Sequence, residues 1–108
     1  MSEQKMGTHY VREIVAMMNE IAEKTSIATL KDKLSAQAAE LAPLDTKLFF
    51  KTQKGTEDME AVSKELANLK SGLISCSDPA EADKMLASIT DTLEKTIKHV
   101  KTMKVRMT

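Results

Sequence analysis

Two histidines, a lone cysteine and several knots of carboxylates are the side chains with which this sequence could do chemistry. Proton transfer, nucleophilic attack or metal binding requires such groups to converge in a pocket. His9 and His99 sit at opposite ends of the chain and have no partner spacing around them. The carboxylates fall as Glu57, Asp58 and Glu60, then Glu65, then Asp78, Glu81 and Asp83. A di-metal centre in a helical bundle asks for Glu-x-x-His pairs, which this sequence lacks. It also lacks HExxH, paired Cys and His spacings and a glycine-rich phosphate loop. The acidic knots stand where helices are expected to begin, and there negative charge complements the helix dipole. The sequence therefore points to no catalytic residue, no cofactor and no metal ligand, and an enzyme is not expected.

Cys76 has no second cysteine to pair with, which fits a reducing, cytoplasmic setting. Ser75, Ser77 and Asp78 give it no positive charge, so it reads as a small, half-buried residue at a helix end rather than a reactive thiol. Sixteen basic and sixteen acidic residues cancel, so no global field draws the chain to nucleic acid or to an anionic membrane. Charge is nevertheless unevenly spread. Lys95, Lys98, Lys101, Lys104 and Arg106 follow one another with no acid after Glu94. Lys98, Lys101, Lys104 and Arg106 are the candidate phosphate contacts, although no aromatics are interleaved to stack on bases. Nucleic acid is the lesser expectation for this run, and a solvated flank that suits a helix C-terminus is the greater. No apolar run approaches the roughly 18 residues that a membrane span needs, and the opening MSEQKMGTHYV does not read as a signal peptide.

Helices must position all of these groups. Ala, Leu, Lys, Glu and Met abound while aromatics make up 3%, a composition of helix formers without period-two alternation. The longest pattern spans Asp78 to Arg106. Asp78 is a capping residue, Pro79 suits the first helical position and Glu81 completes a capping box. Ala82, Leu86, Ile89, Leu93, Ile97, Val100 and Met103 then follow at steps of four and three. This predicts a C-terminal helix of roughly 40 Å, too long to bury its stripe without help from the rest of the chain or from another copy.

Residues 1–7 are expected to fray. From Thr8, a possible N-cap, Val11, Ile14, Val15, Met18, Ile21 and Ala22 mark a second stripe. Ile27, Leu30, Leu34, Ala38 and Leu41 mark a third, about 100° out of phase with the last. A break near Ser26 is preferred to one bent helix. Pro43 is expected to end that segment. Asp45 would cap a short turn carrying Leu48, Phe49 and Phe50, and Gly55 would close it in a left-handed conformation. Thr56 would cap the next helix, with Met59, Val62, Leu66, Leu69 and Leu73 on its stripe. Adjacent phenylalanines lie about 100° apart on a helix; the expectation is that both close the core from a bent segment, the rival being one of them exposed as a partner anchor. Residues 1–108 form one domain, an all-α antiparallel bundle of three to four amphipathic helices joined by short links.

One passage resembles the histidine phosphotransfer domains, helical bundles whose phosphorylated histidine stands in a His-x-x-Lys-Gly pattern. The corresponding run is Lys51-Thr52-Gln53-Lys54-Gly55, and the resemblance covers about half the chain through the last helix. Lys51 occupies the histidine's place and cannot accept a phosphoryl group as imidazole does. The resemblance thus implies a docking role without transfer, with Lys54 as a residual phosphate contact.

Reactive groups are few and apolar helical faces many. The expected function is therefore helix–helix contact by a small non-enzymatic protein: an adaptor, a regulator or a secretion-type chaperone, self-associating as a dimer or higher. Met-rich surfaces adapt to several partners. The contact residues expected are Val11, Ile14, Met18, Phe49, Phe50, Leu86, Ile89, Leu93 and Ile97.

Overall fold

The computed structural model describes residues 6–102. The α-helices are α1 (Gly7–Lys24), α2 (Ala28–Leu41), α3 (Gln53–Ser75) and α4 (Pro79–Thr102). Two 3-10 turns, Ala42–Leu44 and Leu48–Lys51, lie between α2 and α3. The fold is an all-α bundle, and its buried faces are the stripes read from the sequence. Val11, Ile14, Met18, Leu34, Leu41, Met59, Leu66, Leu86, Ile89 and Leu93 are all sealed from solvent. Val15 and Leu69, at the stripe edges, stay half-buried against that core. Met103 lies outside the described residues.

The phase slip near residue 26 is a true break between two helices. Thr25 is extended and its Oγ1 accepts a hydrogen bond from the Ile27 amide (3.1 Å), so Thr25 rather than Ser26 shapes the corner. The other predicted boundaries shift in instructive ways. α1 begins at a buried Gly7 with Met6 as its N-cap, not at Thr8, so the expected fraying does not reach Gly7; residues 1–5 lie outside the described residues. Ala42, ahead of Pro43, keeps helical angles, and the chain tightens into a 3-10 turn instead of leaving helical geometry. Asp45 ends that turn and caps nothing.

Gly55 is not a left-handed terminator: no glycine among the described residues has positive φ. It sits in the first turn of α3, capped by Thr52, whose Oγ1 accepts from the Gly55 amide (3.1 Å). Thr56 is already inside the helix, and its hydroxyl accepts from the Gly7 amide (3.0 Å), satisfying an end group of α1 from a different element. At α4, Asp78 caps as expected, but its carboxylate takes the Ala80 amide (3.1 Å). No bond from Glu81 completes the box.

Consecutive helices run antiparallel, as expected, but the broadest contact, between α1 and α3, is parallel. Gly7 meets Thr56, Glu13 meets Ser63 and Glu20 meets Lys70, at sequence offsets of 49, 50 and 50. The molecule is thus two helical hairpins laid side by side, α1 on α3 and α2 towards α4. The second pair starts in the same register, with Lys33 on Asp83 at an offset of 50. It then crosses obliquely, since Glu40 reaches Lys101. Gly7, the ends of α2 and α4 and the start of α3 share one end of the bundle, called the base below. The link from α2 to α3 crosses that base diagonally. Phe50 is fully buried there and Phe49 nearly so, their rings edge-to-face at 5.5 Å, so both close the core. Leu48 is the residue left outside, 56% exposed.

Candidate interaction surfaces

Each stripe residue proposed for partner contact lies inside this chain's own core. Val11, Ile14, Met18, Leu86, Ile89 and Leu93 are fully buried, Ile97 is 5% exposed, and Phe49 and Phe50 line the base. While the bundle is closed those side chains touch one another, and the surfaces open to a partner are made by the residues beside them.

One such surface is a groove of about 300 Å³ between α1 and the end of α2. Val15, Ala16, Asn19 and Ala42 form its walls over the buried Val11, and Arg12 and Asp45 stand at one edge. The Arg12 Nε donates to Asp45 Oδ2 (2.8 Å), which ties the second turn of α1 to the corner after α2. Apart from Arg12 and Asp45, the lining is small or apolar.

The predicted phosphate contacts lie along a second groove, of about 360 Å³, where α2 and α4 cross. Glu40, Glu94, Ile97, Lys98, Lys101 and Thr102 line it. Lys101 Nζ is 3.5 Å from Glu40, and Glu94 faces the same space. Carboxylates thus alternate with ammonium groups, which weakens the field a phosphate would meet. Lys104 and Arg106 lie outside the described residues.

His9 and His99 do share the base, though with separate surroundings. His9 is exposed, and its Nδ1 accepts from the Met6 amide (3.3 Å). The His99 ring meets Phe49 edge-to-face at 5.1 Å. No cluster of His, Cys, Asp or Glu suited to a metal occurs among the described residues. Cys76 ends α3 half-buried, its Sγ 3.4 Å from the Asp78 carbonyl. Lys51 is exposed at the end of the second 3-10 turn, and Lys54 pairs with Asp58 (3.4 Å).

The Glu20 carboxyl is held below its ordinary value. Lys70 on α3 (2.9 Å) and Lys24 on its own helix (3.0 Å) both hydrogen-bond its carboxylate, and Lys70 contributes most to holding it below its usual 4.5. This pair clasps α1 to α3.

Sequence reasoning missed the part played by Leu48, which it grouped with the two phenylalanines. The signal was present: Lys47 and Lys51 bracket the turn, leaving polar edges on both sides of an apolar trio. Among the described residues no helix is long and apolar enough to cross a membrane. Comparison with protein-family models, with curated proteins and with solved structures returns no match.

Proposed function

We propose that this protein is a non-enzymatic helical module that works by packing against another helix, in self-association or in binding a client as an adaptor, regulator or chaperone does. The groove between α1 and α2 carries this reading. Its walls of Val15, Ala16 and Ala42 are low enough for a third helix to approach closely, and helices pack by setting side-chain ridges into such grooves. Its volume of about 300 Å³ is at the lower limit for a small-molecule site, and suits a few side chains from a partner ridge. The Arg12–Asp45 pair at its edge offers a polar rim that fixes orientation.

Ala16 is exposed, so Ala16→Glu puts a charge in the groove without disturbing the core. Sedimentation analysis from low micromolar to millimolar concentration is expected to show the wild-type chain associating and Ala16→Glu remaining monomeric with unchanged helicity. For a client, affinity capture is expected to recover a protein with the wild-type chain that Ala16→Glu loses. A wild-type chain that stays monomeric, together with identical captures for the two forms, would rule the groove out.

A further inference from the structure

The two large hydrophobic side chains most exposed among the described residues, Leu48 (56%) and Met6 (40%), lie at the same end of the molecule. Leu48 projects from the 3-10 turn that crosses the base, and Met6 caps α1 beside it in the fold, where Gly7 packs on the Phe50 carbonyl. Lys47 and Lys51 flank Leu48, both exposed and neither in an ion pair. Three of the carboxylates near the base are in ion pairs, Glu40 with Lys101, Asp45 with Arg12 and Asp58 with Lys54; Glu57 takes only the neutral Gln53 amide, and Glu94 lies on the groove where α2 and α4 cross. The opposite end presents exposed Glu23 and Glu81, with Asp78 capping α4 through the Ala80 amide, beside Lys31 and Lys84. In a chain with no net charge, the exposed Leu48 is thus bracketed by two ammonium groups that no ion pair holds, Lys47 and Lys51.

We propose that the base is a docking surface for an anionic lipid bilayer, with Leu48 entering the acyl boundary and Lys47 and Lys51 meeting lipid phosphates. A phosphate-rich surface complements the two free ammonium groups, and a bilayer needs no pocket shaped to a projecting side chain. Aliphatic insertion combined with neighbouring lysines is the usual chemistry of interfacial binding. Nucleic acid fits less well, because an exposed leucine gains nothing against a sugar-phosphate backbone, and the exposed ring nearby, His99, is already packed edge-on against Phe49 rather than presented as a stacking platform. The contact is reversible and salt-sensitive, since two lysines and one leucine anchor only weakly.

The test uses the full chain with vesicles of phosphatidylcholine alone or mixed with phosphatidylglycerol. Because the protein has no tryptophan, Leu48→Trp supplies a single emission probe. Its emission is expected to shift to the blue with the anionic vesicles only, and to be quenched by brominated acyl chains. In vesicle flotation, Lys47→Ala combined with Lys51→Ala should lower partitioning roughly thirtyfold. Lys31→Ala with Lys84→Ala, which removes the same charge near the opposite end, should leave it unchanged. Leu48→Asp should abolish flotation while helicity is retained. The proposal is overturned if Leu48→Trp shows no shift, or if both double variants lose binding equally. Binding of an RNA homopolymer that survives Leu48→Asp, in a chain that does not float, would also overturn it in favour of a polyelectrolyte partner.

Discussion

Gly7 and Gly55 show how a residue chosen for what it lacks can fix a fold. Both are buried in the first turns of their helices, and a Cβ at either would fall well inside contact distance of a backbone carbonyl, that of Phe50 for Gly7 and of Phe49 for Gly55. Backbone cannot swing aside as a side chain can. Glycine within a helix normally costs about 1 kcal/mol relative to alanine, so alanine would ordinarily stabilise. Here the sign reverses: Gly7→Ala and Gly55→Ala are each expected to lose about 1–3 kcal/mol through overpacking. Gly72 is the internal control, because it is exposed and its added Cβ would meet only the mobile end of Met85 at 3.1 Å. Urea denaturation should find Gly72→Ala neutral or more stable; equal losses at the three positions would show that the base carbonyls are not the cause. Composition and periodicity gave no sign of this role, since a glycine near a turn reads first as a left-handed terminator. Gln37 was equally invisible, a polar side chain that buries its Oε1 without a partner.

At the scale of elements, the helices were legible because each stripe repeats at three and four, and burial follows those stripes almost residue for residue. The break at 25–27 was legible as a change of phase. The segment from Ala42 to Thr52 was not, because short 3-10 turns have no periodicity to read and their side-chain directions depend on what lies beneath. The same blindness covers the candidate site: the stripes identified the core, whereas the groove and the base are made by flanking residues whose exposure only packing decides. What lies beneath that link is the base of the core. Phe50 is completely buried and Leu48 is mostly exposed, so two neighbouring apolar residues in one short turn should answer mutation very differently. Phe50→Ala is expected to cost about 3–5 kcal/mol, combining lost transfer energy with the cavity left behind. Leu48→Ala should change stability by less than about 0.5 kcal/mol. Thermal unfolding of the two variants checks this, and comparable losses would mean that the link is not seated as described.

Across the whole molecule, side-by-side packing of two hairpins sets which surface charges can matter. An antiparallel neighbour of α1 would place Glu20 beside the start of a helix; the parallel α3 instead brings Lys70 to it, near the far end of both. Lys24 completes the clasp from one turn along α1. Since these ammonium groups hold the Glu20 carboxyl below 4.5 in the folded chain, the folded state binds that proton less readily than the unfolded state. Stability from this clasp is therefore fully present above the unfolded value and is lost as pH falls through the lower folded one. The group is partly open to water, so its share is modest and declines with salt. Glu20→Gln should lower the melting temperature slightly at neutral pH and at low salt. The gap between variant and wild type should narrow as pH drops below 4.5 and close once both states are protonated. Melting curves over that range, repeated at high salt, test the point directly. A gap that persists in acid would assign the Glu20 contribution to packing rather than to charge, and would remove the electrostatic reason for α1 and α3 to lie in this register.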